Sequence, residues 1–225
     1  MAIAYRAGST AGNATGGDLT VTKPSGTADG DIIVAACYNE SGINAWTAPA
    51  GWARWGTGKV NFNNNSWIDL YWKRASGEGA NYVFLITTTF RTIAMASFSG
   101  GLASGDPIDV GPTGDNADTN IPSVNDQTTI TDGAMMVATH GNFAGAALSY
   151  TSGTSLSAGA NLGGCEIWYG VKTPAGGTGS TLWNGVMVHG DWASFHFAIK
   201  PAAATTFIAA EPLIVKQAIN RTTVW

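Results

Sequence analysis

The chain has 225 residues and a net charge of −4, and only 12% of its residues are charged. That share is about half of what soluble domains carry, and 44% of the residues are hydrophobic, which excludes an intrinsically disordered chain. Lys and Arg form no basic stripe, and no run reaches the roughly 18 apolar residues of a membrane span. Neither nucleic acid nor a membrane is therefore an expected partner.

Residue patterns predict β-strands along the chain and no helix. Residues 18–23 alternate polar and apolar side chains, and residues 67–72 and 82–89 are rich in aromatic and β-branched types. Pro or Gly recurs every few residues, which is typical of turns between short strands. The sequence therefore predicts an all-β protein of a size that single β-sandwiches reach.

One strand pattern occurs twice. Asp29-Gly30 precedes the apolar run 32–36, and Asp132-Gly133 precedes the apolar run 134–138. Uninterrupted runs of this kind are typical of central strands that are buried on both faces. We therefore predict an antiparallel β-sandwich of jelly-roll type that is built from two similar half-units.

The half-units set the predicted domain organisation. They extend over about residues 1–101 and 127–201, and together they form one domain, 1–201. Residues 102–126 are dense in Gly, Asp, Asn and Pro, so we predict a crossover loop there.

The last segment, 202–225, has no counterpart in the first half and is predicted to be a C-terminal arm. It is too apolar for a free tail, because termini that are not tied down tend to be small and polar. One interpretation is packing on the chain's own sandwich, and the other is contact with a neighbouring subunit by β-augmentation. The candidate residues for such a contact are Phe207, Leu213, Ile214, Val215, Ile219 and Trp225.

An aromatic loop contains Trp46, Trp52 and Trp55, and the amide side chains of residues 61–65 follow it. Indole rings can stack on sugar faces and amides can bind hydroxyl groups, so these three Trp residues are candidate glycan contacts. The favoured alternative is that the loop is a structural plug at one end of the sandwich.

Catalytic and metal-binding motifs are missing from the sequence. There is no Gly-x-Ser-x-Gly, no phosphate-binding Gly-rich loop and no His-Glu-x-x-His. His189, Asp191 and Ser194 lie close in sequence, but triads are defined by geometry, so a strand-end His is the favoured interpretation. We expect no catalytic residues, no metal and no cofactor.

Two cysteines, Cys37 and Cys165, each lie in a predicted apolar strand. Buried free thiols are the favoured interpretation, because free Cys behaves as a small hydrophobic residue and disulfides are rare in the cytoplasm. A disulfide between the two remains open at this point.

A group of phage and prophage virion proteins resembles this chain over residues 1–201. The resemblance is carried by the segments 28–35, 48–52, 107–109 and 131–133 and by Ala198-Ile199-Lys200-Pro201. It implies a β-sandwich in a virion, either as a capsid decoration (cement) protein or as a tail appendage, and it implies no catalytic residue.

The resulting functional expectation is a structural virion protein that decorates a phage capsid. The resemblance, the low charge and the apolar arm lead us to expect a homo-oligomer, with a trimer favoured, that contacts the major capsid protein or other virion proteins. Such a protein would be located in the virion after assembly in the host cytoplasm. The alternative is a glycan-binding domain of a tail fibre or adhesin that uses Trp46, Trp52 and Trp55.

Overall fold

The computed structural model describes residues 2–13, 17–40, 45–55, 59–60, 66–88, 90–118, 123–142, 149–151, 157–162, 164–179, 181–184 and 191–203. Within these ranges the chain forms sixteen β-strands and no helix, so no helix there could cross a membrane. The strands of the N-terminal half are β1 (Ala4–Asn13), β2 (Leu19–Thr22), β3 (Ile32–Glu40), β4 (Ala53–Arg54), β5 (Lys59–Val60), β6 (Ser66–Arg74), β7 (Asn81–Phe84) and β8 (Arg91–Ser99). Those of the C-terminal half are β9 (Ile108–Asp118), β10 (Ser123–Val124), β11 (Ala134–Asn142), β12 (Ser149–Thr151), β13 (Ser157–Leu162), β14 (Cys165–Lys172), β15 (Thr181–Asn184) and β16 (Asp191–Ile199).

Two main antiparallel sheets form a β-sandwich, and each is drawn from one half of the chain. The first has the strand order β1-β8-β3-β6-β4, with β5 also paired to β6, and the second has the order β13-β14-β11-β16-β9. Two smaller sheets, β2-β7 and β10-β15-β12, complete the strand pairing of the described residues. In the first half the pairs β1·β8, β2·β7 and β3·β6 are nested, and in the second half the pairs β9·β16, β10·β15 and β11·β14 are nested.

The main hydrophobic core lies between the two main sheets. It combines Val34 of β3 with Val137 of β11 and Phe197 of β16, all fully buried. The sheets approach closely at Gly141 of β11, where an added Cβ would overlap the ring of Tyr38 in β3. A larger residue at position 141 would therefore push the sheets apart.

The two central strands confirm the sequence prediction. Every residue of β3 and of β11 is buried. Val34 of β3 faces the inter-sheet core, while Ile33 and Ala35 face a second hydrophobic cluster on the outer side of the first main sheet. Burial on both faces explains why these runs are apolar without interruption.

The two cysteines are free thiols, as favoured from the sequence, and both are buried. Cys37 belongs to the outer cluster, whereas Cys165 belongs to the inter-sheet core and its Sγ lies 3.3 Å from the carbonyl oxygen of Ala36. The two side chains therefore lie on opposite sides of the first main sheet. Burial raises the pKa of the Cys37 thiol well above its usual value, and it raises the pKa of Cys165 to about 12.

The structure contradicts the prediction that residues 102–126 form only a crossover loop. Its residues 108–118 form β9, which pairs with β16 along the edge of the second main sheet. An edge strand tolerates Gly111 and Pro112, because a Pro there removes no hydrogen bond from the interior of the sheet. Gly111 has a φ of +83°, and an added Cβ would lie 2.7 Å from the carbonyl oxygen of His196. Residues 108–118 therefore belong to the second main sheet.

Candidate functional site

The aromatic loop is packed into the protein rather than raised above it. Trp46 is 3% exposed and Trp55 is 6% exposed, whereas Trp52 is half-buried. The Trp55 ring stacks on Trp72 with 5.3 Å between centroids and packs edge-on against Phe197 at 5.1 Å. Trp55 is therefore part of the core between the main sheets.

A buried carboxylate holds this loop in place. Asp69 of β6 is fully buried, accepts a hydrogen bond from the backbone N–H of Trp46 at 2.9 Å and forms an ion pair with Arg54. The hydroxyl of Tyr71 donates to the carbonyl oxygen of Trp46 at 2.5 Å. Burial, together with the nearby Asp69 charge, raises the pKa of Tyr71, so the phenol remains a donor.

The structure leaves Trp52 as the most accessible of the three candidate glycan contacts. Its ring packs edge-on against Tyr82 at 5.1 Å and against Phe84 at 5.3 Å. Its indole nitrogen is buried and has no hydrogen-bond acceptor in the described part of the chain, and the same holds for the indole nitrogens of Trp46 and Trp55. The faces of Trp46 and Trp55 are covered by protein, which favours a structural role for those two, and residues 61–65 lie outside the described residues.

A groove of about 420 Å³ lies where the two ends of the sandwich domain meet, and we call it the terminal groove. One wall is the turn before β11, one is the end of β14, and the rest comes from residues 2–3 and 201–203. It is lined by Ala2, Ile3, Thr131, Asp132, Gly133, Val171, Thr173, Pro201, Ala202 and Ala203. The second Asp-Gly turn, Asp132-Gly133, therefore lines a surface groove, and its sequence pattern did not indicate this location.

Backbone hydrogen bonds anchor the chain at the terminal groove. Leu102 N donates to the carbonyl oxygen of Lys200 at 3.0 Å, and Ala202 N donates to that of Gly100 at 2.7 Å. The chain after β16 is therefore attached to the end of β8, and it leaves the described region at Ala203. The predicted arm residues all lie beyond this point, outside the described residues, and they are Phe207, Leu213, Ile214, Val215, Ile219 and Trp225.

A row of polar side chains crosses the outer face of the second main sheet. Asp115 of β9, Ser194 of β16, His140 of β11 and Glu166 of β14 are consecutive cross-strand partners. Directly opposed residues of antiparallel strands project from the same face. Ser194, His140 and Glu166 are fully buried, so the row has no contact with solvent at these three positions.

Burial dominates the electrostatics of the two described histidines. It lowers the pKa of His140 to about 3, and it also lowers the pKa of His196, whose Nδ1 lies 2.9 Å from the carbonyl oxygen of Asn125. Both rings are therefore neutral near pH 7. Sequence reasoning missed the row because its members lie on four strands, and the only available signal was the alternation of polar residues at 140 and 142 and at 194 and 196.

The triad considered from the sequence is only partly described. Ser194 lies opposite His140, while His189 lies outside the described residues. No group of His, Cys, Asp or Glu suited to hold a metal ion occurs among the residues that the structure describes. Comparisons with known protein families, with curated proteins and with solved structures found no match to this chain.

Proposed function

We propose that this chain is a structural component of a bacteriophage virion, namely a capsid decoration protein that reinforces the shell through subunit contacts. The observation that carries the proposal is the nested strand pairing in both halves. Nested pairing results when one long hairpin rolls up into a jelly roll, an architecture that recurs in viral capsid proteins. The resemblance to virion proteins over residues 1–201 points in the same direction.

The finer fold proposal is that each half-unit is a jelly roll and that the two pack through their main sheets. The origin of each main sheet in a single half supports this arrangement over one jelly roll shared by both halves. The two Asp-Gly turns also make matching contacts. Gly30 N donates to the carbonyl oxygen of Ala75 just after β6, and Gly133 N donates to that of Lys172 at the end of β14.

A non-enzymatic role follows from the same proposal. Ser194, His140 and Glu166 are the described residues that come closest to a catalytic arrangement, and their burial gives a substrate no access to them. The work of a decoration protein is instead mechanical. Buried area spread across subunit boundaries adds association free energy at each site, and binding to the assembled shell stabilises it by mass action.

The proposed assembly is a homo-oligomer, with a trimer favoured, that contacts the major capsid protein or other virion proteins. The test is mass spectrometry of purified phage particles, followed by removal of the protein and its return to the stripped shell. We expect the protein in many copies per particle, and a lower melting temperature of the shell that recovers when the protein is returned. Its absence from purified particles would contradict the proposal.

The alternative function is glycan binding by a tail fibre or adhesin domain, because jelly rolls also occur in lectins. The observation that favours it is the half-buried ring of Trp52, which is more accessible than the buried rings of Trp46 and Trp55. Titration with host surface polysaccharide tests it. Trp52→Phe keeps a ring against Tyr82 and Phe84, so binding that survives in Trp52→Phe and is lost in Trp52→Ala would identify stacking of the ring on the sugar.

A further inference from the structure

We propose that the terminal groove receives residues 204–225 of a second copy of this chain. The inference rests on the proposed function, in which these residues form a subunit-contact arm. It adds the place on the partner where the arm docks, and it assigns the contact to a second copy rather than to another virion protein.

Exposed apolar side chains at the terminal groove are the first observation. Val171 lines the groove and is 51% exposed, and Ile130, which directly precedes the groove residue Thr131, is 77% exposed. The half-buried Pro201 also lines the groove, as does Ile3, which is only 3% exposed. Apolar groups that remain exposed together mark interaction sites, because their burial against a partner is favourable.

A strand edge at the terminal groove is the second observation. Among the described residues, β13 pairs with β14 only as far as Tyr169, whereas β11 pairs with β14 as far as Lys172. The carbonyl oxygen of Lys172 faces β11, since it accepts a hydrogen bond from Gly133 N at 3.0 Å. By the alternation of an antiparallel ladder, the N–H and C=O of Val171 point to the opposite side, beyond the last described pair of β13 and β14, and under the proposal the arm pairs there.

The sequence of the arm fits such an edge. Residues 205–208 are Thr-Thr-Phe-Ile and residues 213–215 are Leu-Ile-Val, so both stretches consist of residues enriched in strands, apart from Leu213. They would supply main-chain hydrogen bonds to the edge and apolar side chains to the groove. Fully extended, residues 204–225 span roughly 70 Å, which is enough to reach a neighbouring subunit.

The point at which the chain leaves the groove favours a second copy over the chain's own arm. Ala203 already lies in the groove wall, so the chain's own arm would have to reverse direction before Phe207 for residues 205–208 to lie in the same groove. Residues 204–206 are Ala-Thr-Thr and offer none of the Gly, Pro, Asn or Asp residues that tight turns favour. An arm that arrives from another subunit needs no such reversal.

The experiment is disulfide trapping with two differently tagged full-length chains that are expressed together. One chain carries Val171→Cys, and the other carries a cysteine in the arm at Phe207, Leu213 or Ile219, each tested separately. The native Cys37 and Cys165 remain, because both are buried. We expect a disulfide-linked heterodimer for at least one of the three arm positions.

Val83→Cys is the matched control, since Val83 is also an exposed valine, 43% exposed, but lies on β7. We expect at least about tenfold less heterodimer with it than with Val171→Cys, because only the groove holds the arm at a high effective concentration. An intrachain disulfide in a chain that carries both cysteines, without heterodimer, would overturn the proposal in favour of the chain's own arm. No disulfide at any arm position would overturn the groove as the docking site.

Light scattering gives an independent readout of the same contact. Val171→Asp places a charge in the apolar groove and is expected to reduce the oligomer to the 23.2 kDa monomer, while Val83→Asp leaves the oligomer intact. Heterodimer formation by a protein that is absent from phage particles would contradict the proposed function alone. Particle binding without heterodimer would contradict the groove proposal alone.

Discussion

The outer face of the first main sheet carries a large apolar cluster together with a few buried polar residues such as Asp69, whereas the outer face of the second carries a small apolar cluster and a row of buried polar side chains. In the first half, Ile33 and Ala35 of β3 pack with Val21 of β2 and Phe84 of β7 in one hydrophobic cluster. The smaller sheet β2-β7 therefore covers the first main sheet by burial of apolar surface. Such burial is non-directional and does not depend on pH.

The same face of the second main sheet holds a much smaller apolar cluster, Ala134, Met136 and Ala198. Beyond it the central strand continues with His140, and β16 contributes His196, both fully buried. Hydrogen bonds replace apolar contacts there. The Trp168 Nε1 donates to a Glu166 carboxylate oxygen at 2.9 Å, and the Nδ1 of His196 lies 2.9 Å from the carbonyl oxygen of Asn125.

The two main sheets have corresponding strand orders, yet one is covered mainly by apolar contacts and the other by hydrogen-bonded polar side chains. In the first half, Cys37 pairs across the sheet with Asp69, and that carboxylate holds the aromatic loop. In the second half, His140 pairs across the sheet with Glu166, and that carboxylate binds an indole within its own strand. We therefore expect the two outer layers to respond differently to cavities and to acid.

The largest effect is expected from a cavity in the apolar layer. Phe84 is fully buried and packs against Trp52 and Tyr71 with centroid distances of 5.3 Å and 6.0 Å. Phe84→Ala should lower the free energy of unfolding by about 3 to 5 kcal/mol, because it removes a ring and leaves a cavity. Urea unfolding at neutral and at acid pH measures it. The loss of unfolding free energy should be the same at both pH values. A loss seen only at acid pH would show that the apolar layer is as sensitive to acid as the polar one.

A smaller effect, which depends on pH, is expected from His140 in the polar layer. Burial lowers its pKa in the folded protein from 6.5 to about 3, so between these values only the unfolded chain binds the proton. Stability is therefore highest above pH 6.5 and falls as the pH drops below that value. At about pH 4.5 the loss relative to neutral pH should be roughly 3 kcal/mol for this residue.

The variant His140→Asn separates this contribution from general acid sensitivity. An amide remains uncharged, so urea unfolding of the variant should show a shallower decline of stability with falling pH than the original chain. His196, whose pKa burial also lowers, should account for part of the remaining decline and can be removed in a double variant. An unchanged pH profile in His140→Asn would show that the buried ring does not govern the acid response.

The central strands could be predicted because both of their faces are buried. The Asp-Gly turns followed by uninterrupted apolar runs led directly to β3 and β11, and the absence of helical periodicity led to the all-β class. The edge strand β9 could not be predicted in the same way. An edge strand has one free side, so Gly111, Pro112 and Gly114 are tolerated and give it the composition of a loop.

Less of the candidate sites could be predicted. The sequence identified the Trp46, Trp52 and Trp55 loop as a feature, but burial depends on Asp69 and Phe197, which lie far away in sequence. The terminal groove brings together residues near positions 2, 131, 171 and 201. No local sequence pattern indicates such a surface, because it forms only when strand pairing brings these four distant segments together.

The smallest effect concerns the turns that precede the central strands β3 and β11. The turn before β3 is attached to β1 and the turn before β11 is attached to β9, by different kinds of contact. In the second half, the buried Asp109 of β9 accepts hydrogen bonds from the N–H groups of Ile130, at 2.7 Å, and Thr131, at 3.1 Å. In the first half, Arg6 of β1 forms an ion pair of 2.5 Å with Asp31, and the Arg6 side chain is 39% exposed. Asp109→Ala should cost roughly 2 kcal/mol, because two backbone N–H donors lose a buried, charged acceptor. Arg6→Ala should cost less than roughly 1 kcal/mol, because solvent screens an exposed ion pair. Urea unfolding of the two variants side by side measures the difference, and equal losses would mean that exposure does not decide the strength of these two attachments.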